Sequence, residues 1–119
     1  MTQLRPVVTA RLYTDKKCFG PGVAMLLRRV DRLRSLRAAA MDMDMAYSKA
    51  WTILREAERG LGFKLLHSTT GGKNGGGATL TPEGRGMLEA YDRFEAELKA
   101  AGEELFARHI GAFLEGLSG

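Results

Sequence analysis

The sequence predicts a mainly α fold with small β elements, and three observations carry that prediction. Apolar residues recur at helical spacing through most of the chain. Five glycines in the seven positions 71–77 interrupt them. Short β-prone stretches flank that run and also open the chain. Glycine loses the most backbone entropy on ordering and has no side chain to bury, so the glycine run reads as a loop tip.

The elements follow in order. Residues 7–13 are rich in β-branched and aromatic side chains, with Val8, Ala10 and Leu12 alternating onto one face, and read as a strand. A turn at residues 14–17 leads to a return strand at Cys18 and Phe19, which Gly20-Pro21-Gly22 stops. Leu26, Leu27, Val30 and Leu33 then mark an amphipathic helix carrying Arg28, Arg29, Arg32 and Arg34 on its other sides. Those four arginines read as a solvated face. Ser35 is a good N-cap for a second helix over residues 36–42, whose Ala38, Ala39 and Ala40 allow close approach by a neighbour.

A third helix is expected over about residues 46–59, closed by Gly60-Leu61-Gly62. Winding it at about 100° per residue gathers Tyr47, Ala50, Ile53, Leu54, Ala57 and Leu61 on one side. Ser48, Thr52, Arg55 and Arg59 gather on the other, with Lys49 beside them. An apolar face opposite hydrogen-bonding and cationic groups is what a helix in a DNA major groove requires. The join to the preceding helix has the parts of a helix-turn-helix, with Ala40 at the close contact and Met43 and Met45 anchoring the turn. Asp44 stands where a positive φ is needed, and Asp tolerates that conformation better than most residues. Ala46 offers no side-chain cap, which costs about 1 kcal/mol relative to Ser. Trp51 lies at the edge of the apolar arc and reads as packing. Tyr47 reads as packing with its hydroxyl in reach of a phosphate.

The glycine loop completes the pattern. Strand, glycine tip, strand and helix in succession are a wing, over about residues 64–80, where backbone amides lie close to phosphate and Lys73 and Asn74 supply charge and hydrogen bonds. A flexible hairpin tip has the same composition. A nucleotide-binding P-loop does not, because Gly71-Gly72-Lys73 runs on into Asn74 and more glycine instead of Ser or Thr opening a helix.

Composition and charge narrow the classes. A length of 119 residues with 45% hydrophobic content fits one domain, and the single Cys18 excludes an intrachain disulfide. His67 and His109 stand far apart, so neither a metal site nor a cofactor is expected. No paired carboxylates or nucleophile and base set offers a catalytic mechanism. Neither a signal peptide nor a run of 18 apolar residues is present, and the expected location is the cytoplasm, away from membranes. Residues 1–80 carry a net charge of +8 and residues 81–119 a net of −4. That polarity fits a polyanion surface on the first part and a partner surface on the second, although both also read as solvated faces.

The strings Ala38-Ala39-Ala40, Tyr47-Ser48-Lys49-Ala50-Trp51 and Thr70-Gly71-Gly72-Lys73-Asn74-Gly75-Gly76-Gly77, followed by Thr81 and Gly84, closely resemble the N-terminal DNA-binding domain of ModE-type molybdate-responsive regulators. The likeness runs from about Gly20 to about Phe94. It implies a winged helix-turn-helix that binds a palindromic operator as a dimer. In the family a C-terminal region senses molybdate; this chain ends at Gly119 after helical residues, so a form without that sensor, and no molybdate binding within the chain, is expected.

The tail reads as the dimer surface. Thr81, Pro82 and Glu83 suit a helix start in cap, geometry and dipole. Met87, Tyr91, Phe94 and Leu98 form one stripe, with the choice between packing on the first helix and packing on a second chain left open. After Gly102 a second segment carries Leu105, Phe106, Ile110, Phe113, Leu114 and Leu117, for which a homodimer is the favoured use. The predicted organisation is thus a DNA-binding unit over residues 1–80 and C-terminal dimerisation helices over 81–119. Candidate DNA contacts are Ser35, Arg37, Tyr47, Ser48, Lys49, Thr52, Arg55, Lys73 and Asn74, on double-stranded DNA. A non-specific nucleic-acid-binding or architectural protein is the alternative.

Overall fold

The computed structural model describes residues 3–68 and 77–118. Strands β1 (Leu12–Tyr13) and β2 (Lys17–Phe19) precede helices α1 (Pro21–Leu33), α2 (Leu36–Asp42) and α3 (Tyr47–Leu61). Strands β3 (Leu66–Ser68) and β4 (Ala78–Leu80) follow, then α4 (Pro82–Phe106), a π-helical turn (Ala107–Gly111) and α5 (Ala112–Ser118). Each pair of strands forms its own antiparallel two-stranded sheet, with Leu66 opposite Leu80 and Ser68 opposite Ala78 in the second. The fold is mainly helical with two small hairpins, as the periodicity predicts. Lys73 and Asn74 lie outside the described residues.

The apolar stripes meet in one core. Leu26, Leu27 and Val30 of α1 are fully buried against Ala39 and Ala40 of α2 and Ala50, Leu54 and Ala57 of α3. Leu65, Leu66, Ala78 and Leu80 close it from the β3–β4 side, and Phe19, Leu88 and Tyr91 from the other elements. Full burial of one such Leu is worth about 1.5–3 kcal/mol, so α1 is the principal source of packing energy. The alanines are as important for their size, because they let α2 and α3 reach α1.

Turn chemistry joins the helices. Arg34 ends α1 in the left-handed conformation, φ 60°, with its amide on the Val30 carbonyl at 2.7 Å. Ser35 Oγ then accepts from the Ala38 amide at 3.0 Å and caps α2, as expected. At α4, Thr81 Oγ1 accepts from the Gly84 amide at 2.8 Å, with Pro82 in the first turn. A Cβ at Gly84 would overlap the Leu65 carbonyl, so this close approach of α4 to the β3 entry requires glycine.

The arginines of α1 are engaged by carboxylates, which the solvated-face reading did not include. Arg28 pairs with Asp92 of α4, and Arg29 with Asp42 of α2 at 2.6 Å. Asp31 accepts two bonds from Arg85, the shorter 2.6 Å, and this hydrogen bonding holds its carboxyl below the ordinary carboxylate value.

Two expectations are corrected. Of residues 7–13 only Leu12 and Tyr13 pair with β2. The alternation of Val8, Ala10 and Leu12 inward does hold, but toward α4: the Tyr91 hydroxyl donates to the Ala10 carbonyl at 2.8 Å, and Val8 lies where a Cβ on Gly102 would be. The second correction concerns the tail. Gly102 does not break the helix, which runs through it, and the phase shift comes later in the π-helical turn.

Burial also divides the expected dimer stripes. Tyr91 is 2% exposed, its ring 5.0 Å from that of Phe19, so it belongs to its own core and has no surface for a partner. Met87 and Leu98 are partly buried against the same core, whereas Phe94 is 50% exposed. Phe106 is half-buried; Ile110 and Phe113, with Leu105, Leu114 and Leu117, stand exposed.

Burial, then the hydrogen bond to Glu95, pushes the Tyr91 hydroxyl up to about 12. A group whose folded value is raised stabilises the fold below its unfolded value, about 10 for tyrosine. That contribution is lost as pH rises from there toward 12. The melting temperature should therefore fall more steeply between pH 10 and 12 in the native chain than in Tyr91→Phe; parallel curves would remove Tyr91 from the account.

Candidate nucleic-acid interface

The interface begins in the turn between α2 and α3. Asp44 has φ 52°. Its amide bonds the Met41 carbonyl at 3.1 Å, and the Met45 amide bonds the Ala40 carbonyl at 2.9 Å. These two bonds are a Schellman ending, which satisfies carbonyls that a helix end leaves orphaned. Residue 44 therefore occupies the left-handed position, as its place in the turn predicts. Ala46 begins α3 without a side-chain cap, and Gly62, φ 86°, ends it.

Burial of one face of α3 aims the other. With Ala50, Leu54 and Ala57 in the core and Tyr47, Ile53 and Leu61 beside it, Ser48, Lys49, Thr52 and Arg55 project outward and are exposed. Thr52 Oγ1 donates to the Ser48 carbonyl at 3.0 Å, so in this rotamer its free capacity is as an acceptor.

Four side chains that the sequence offers singly stack into a ladder across α2 and α3. The Arg37 guanidinium sits over the Tyr47 ring at 4.2 Å, Tyr47 meets Trp51 edge-on at 6.3 Å, and Arg55 lies over Trp51 at 5.3 Å. Tyr47, Trp51 and Arg55 are successive i, i+4 neighbours, so one helix row positions three of the four. Each cation–aromatic contact contributes about 0.5–1 kcal/mol at exposed sites. Stacking occupies the face of a guanidinium and leaves its edge donors available for planar acceptors such as phosphate or a guanine edge.

Among the described residues, the arginines of α1 that pair do so with Asp42 and Asp92, while no ion pair involves Arg37, Lys49 or Arg55. The Ser35 hydroxyl is committed to its cap, although its proton is still free to donate.

The β3–β4 hairpin is held to α3, to the end of α1 and to the start of α4 by contacts that the sequence reading missed. One oxygen of Glu58, Oε2, accepts from the Leu65 amide at 2.8 Å and the Leu66 amide at 3.3 Å. Thr81 Oγ1 donates to the Lys64 carbonyl at 2.6 Å, the Thr81 amide bonds the Leu65 carbonyl at 3.0 Å, and the Ala78 amide bonds the Arg34 carbonyl at 3.1 Å. Among the described residues no group of three His, Cys, Asp or Glu could hold a metal, and no helix is long and apolar enough to cross a membrane.

A helix-turn-helix backed by an antiparallel hairpin, with an exposed cationic face on its second helix, defines a winged helix-turn-helix DNA-binding module. The chain belongs to the lysR family of bacterial regulatory helix-turn-helix proteins, whose family model matches residues 24–85. This is a regulatory family and not a family of enzymes. Among relatives, the molybdenum-pterin-binding protein MopB of Rhodobacter capsulatus is 37% identical over 71 residues, covering 60% of this chain and 26% of MopB. The transcriptional regulator ModE of Haemophilus influenzae is 35% identical over 75 residues, 63% of this chain and 29% of that protein. The DNA-binding transcriptional dual regulator ModE of Escherichia coli K12 is 34% identical over 82 residues, 68% and 31%. The ModE-type likeness expected from the helix and wing strings is thus borne out, and the chain spans under a third of the length of these relatives.

Proposed function

We propose that the chain is a sequence-specific transcriptional regulator that binds a palindromic DNA operator as a homodimer. Ser48, Lys49, Thr52 and Arg55 enter the major groove. Ser35, Arg37 and Tyr47 meet the phosphate backbone beside it, and Lys73 and Asn74 meet phosphate from the wing. The observation that carries the reading is the exposed polar and cationic face of α3: Ser48, Lys49, Thr52 and Arg55 project away from the buried Ala50, Leu54 and Ala57, and among the described residues no ion pair holds Arg37, Lys49 or Arg55. A face of that kind, on the second helix of this motif, is complementary to duplex DNA.

Substitution of Thr52 or Arg55 by alanine separates base reading from charge. A good base contact discriminates by about 1–3 kcal/mol, so either substitution should reduce preference among operator variants more than it weakens binding to random duplex. Equal losses on both duplexes would assign Thr52 and Arg55 to phosphate positioning instead.

The homodimer rests on the tail. Phe113 is 62% and Leu117 70% exposed, and with Ile110 and the half-buried Phe106 they leave an apolar surface that a second copy would cover. In this reading residues 1–80 form the DNA-binding unit and residues 81–119 the dimerisation region, in the cytoplasm. Phe113→Glu should give a folded monomer by analytical ultracentrifugation with weak operator binding. A dimeric Phe113→Glu would move the interface elsewhere. The molybdenum-pterin binding that names MopB is assigned to none of these residues, since the likeness covers only 26% of that protein. Added molybdate should accordingly leave the chain's operator affinity unchanged.

A further inference from the structure

The β3–β4 hairpin is too small to hold its own position. Three residues pair with three, and a two-stranded hairpin by itself is marginal in water. Burial of Leu65, Leu66, Ala78 and Leu80 in the common core seats it, and three hydrogen-bonded tethers fix its place further. The end of α1 holds β4 through the Arg34 carbonyl, and the start of α4 holds the β3 entry through Thr81. The third comes from α3 itself, where Glu58 Oε2 accepts both the Leu65 and Leu66 amides.

We propose that Glu58 is a positioning residue for DNA binding: it fixes the β3–β4 strands against the recognition helix as a hydrogen-bond acceptor, and duplex affinity depends on that geometry and not on its charge. The inference rests on the DNA-binding reading above and assigns a role within it to a residue that need not touch DNA. Its distinguishing feature is a sign. Near the end of α3, Glu58 lines an open concavity together with Arg55, Arg59 and Lys64. A carboxylate in that setting repels a polyanion, so by charge alone its neutralisation strengthens binding and its retention changes nothing. By position the order is different. Glutamine keeps an acceptor oxygen at the same reach, and because a single oxygen takes both amides, the amide side chain can reproduce the pair. Aspartate keeps the charge but withdraws the oxygens by one methylene.

The experiment compares Glu58→Gln and Glu58→Asp with the native chain, using a duplex recovered from a random pool by the native chain and a mixed-sequence duplex of equal length. Amide hydrogen exchange at Leu65 and Leu66 is followed in parallel, and helix content and melting are checked by circular dichroism. Glu58→Gln should bind the selected duplex at least as tightly as the native chain and keep slow exchange. Glu58→Asp should bind it at least fivefold more weakly while its helices stay folded at the assay temperature, with faster exchange at both amides. Native affinity in Glu58→Asp, or an equal loss in Glu58→Gln, would overturn the proposal. Should the native chain recover no duplex at all, the DNA-binding reading itself would fail, while the exchange data would still report on the tether.

Discussion

The burial of Ala50, Leu54 and Ala57 is the constraint on which the rest of the structure depends. A helix has one orientation about its axis once three positions on one face are locked into a core, and the residues opposite then point outward without further instruction. Small side chains make this possible. Two alanines of α2 and two of α3 leave room for α1 to supply the large residues Leu26, Leu27 and Val30, so α3 lies close to the body and presents a full face to solvent. Packing energy is thus converted into the aim of Ser48, Thr52 and Arg55.

Charge is arranged on the same frame. Asp31 of α1, Asp42 of α2 and Asp92 of α4 meet arginines of neighbouring helices, and exposed pairs of this kind contribute little stability each. Their larger effect is on the field: they offset charge on α1, while among the described residues Arg37 of α2 and Lys49 and Arg55 of α3 have no carboxylate partner. The Arg37–Tyr47–Trp51–Arg55 ladder then limits the freedom of two of those cations, so less side-chain entropy is lost if they bind.

Local features were legible in the sequence, and features that join distant segments were not. The three helices of the motif follow from a 3.6-residue period, the Ser35 and Thr81 caps from residue type, and the left-handed Asp44 from its place in a short turn. Residues 7–13 have the right alternation for a strand. Their real neighbour is α4, through a bond from Tyr91 to Ala10 across 81 positions that no local pattern encodes. Tyr91 itself sat at the right spacing for a surface stripe, and only the packing of Phe19 against it distinguishes core from interface. Gly102 divided two apolar segments in the sequence, yet the helix runs through it, and a Cβ there would crowd the Val8 side chain. Glu58 had no signal beyond being a carboxylate among arginines, since its partners are backbone amides.

The central claim is that α3 reads a DNA sequence, and the most direct measurement is selection of duplexes by the native chain from a fully random pool, with sequencing of what is retained. The account predicts enrichment of a two-fold symmetric site whose half-sites lie about 34–36 Å apart, or a multiple of that, one for each recognition helix. Retention of duplexes with no sequence enriched over the starting pool would contradict it.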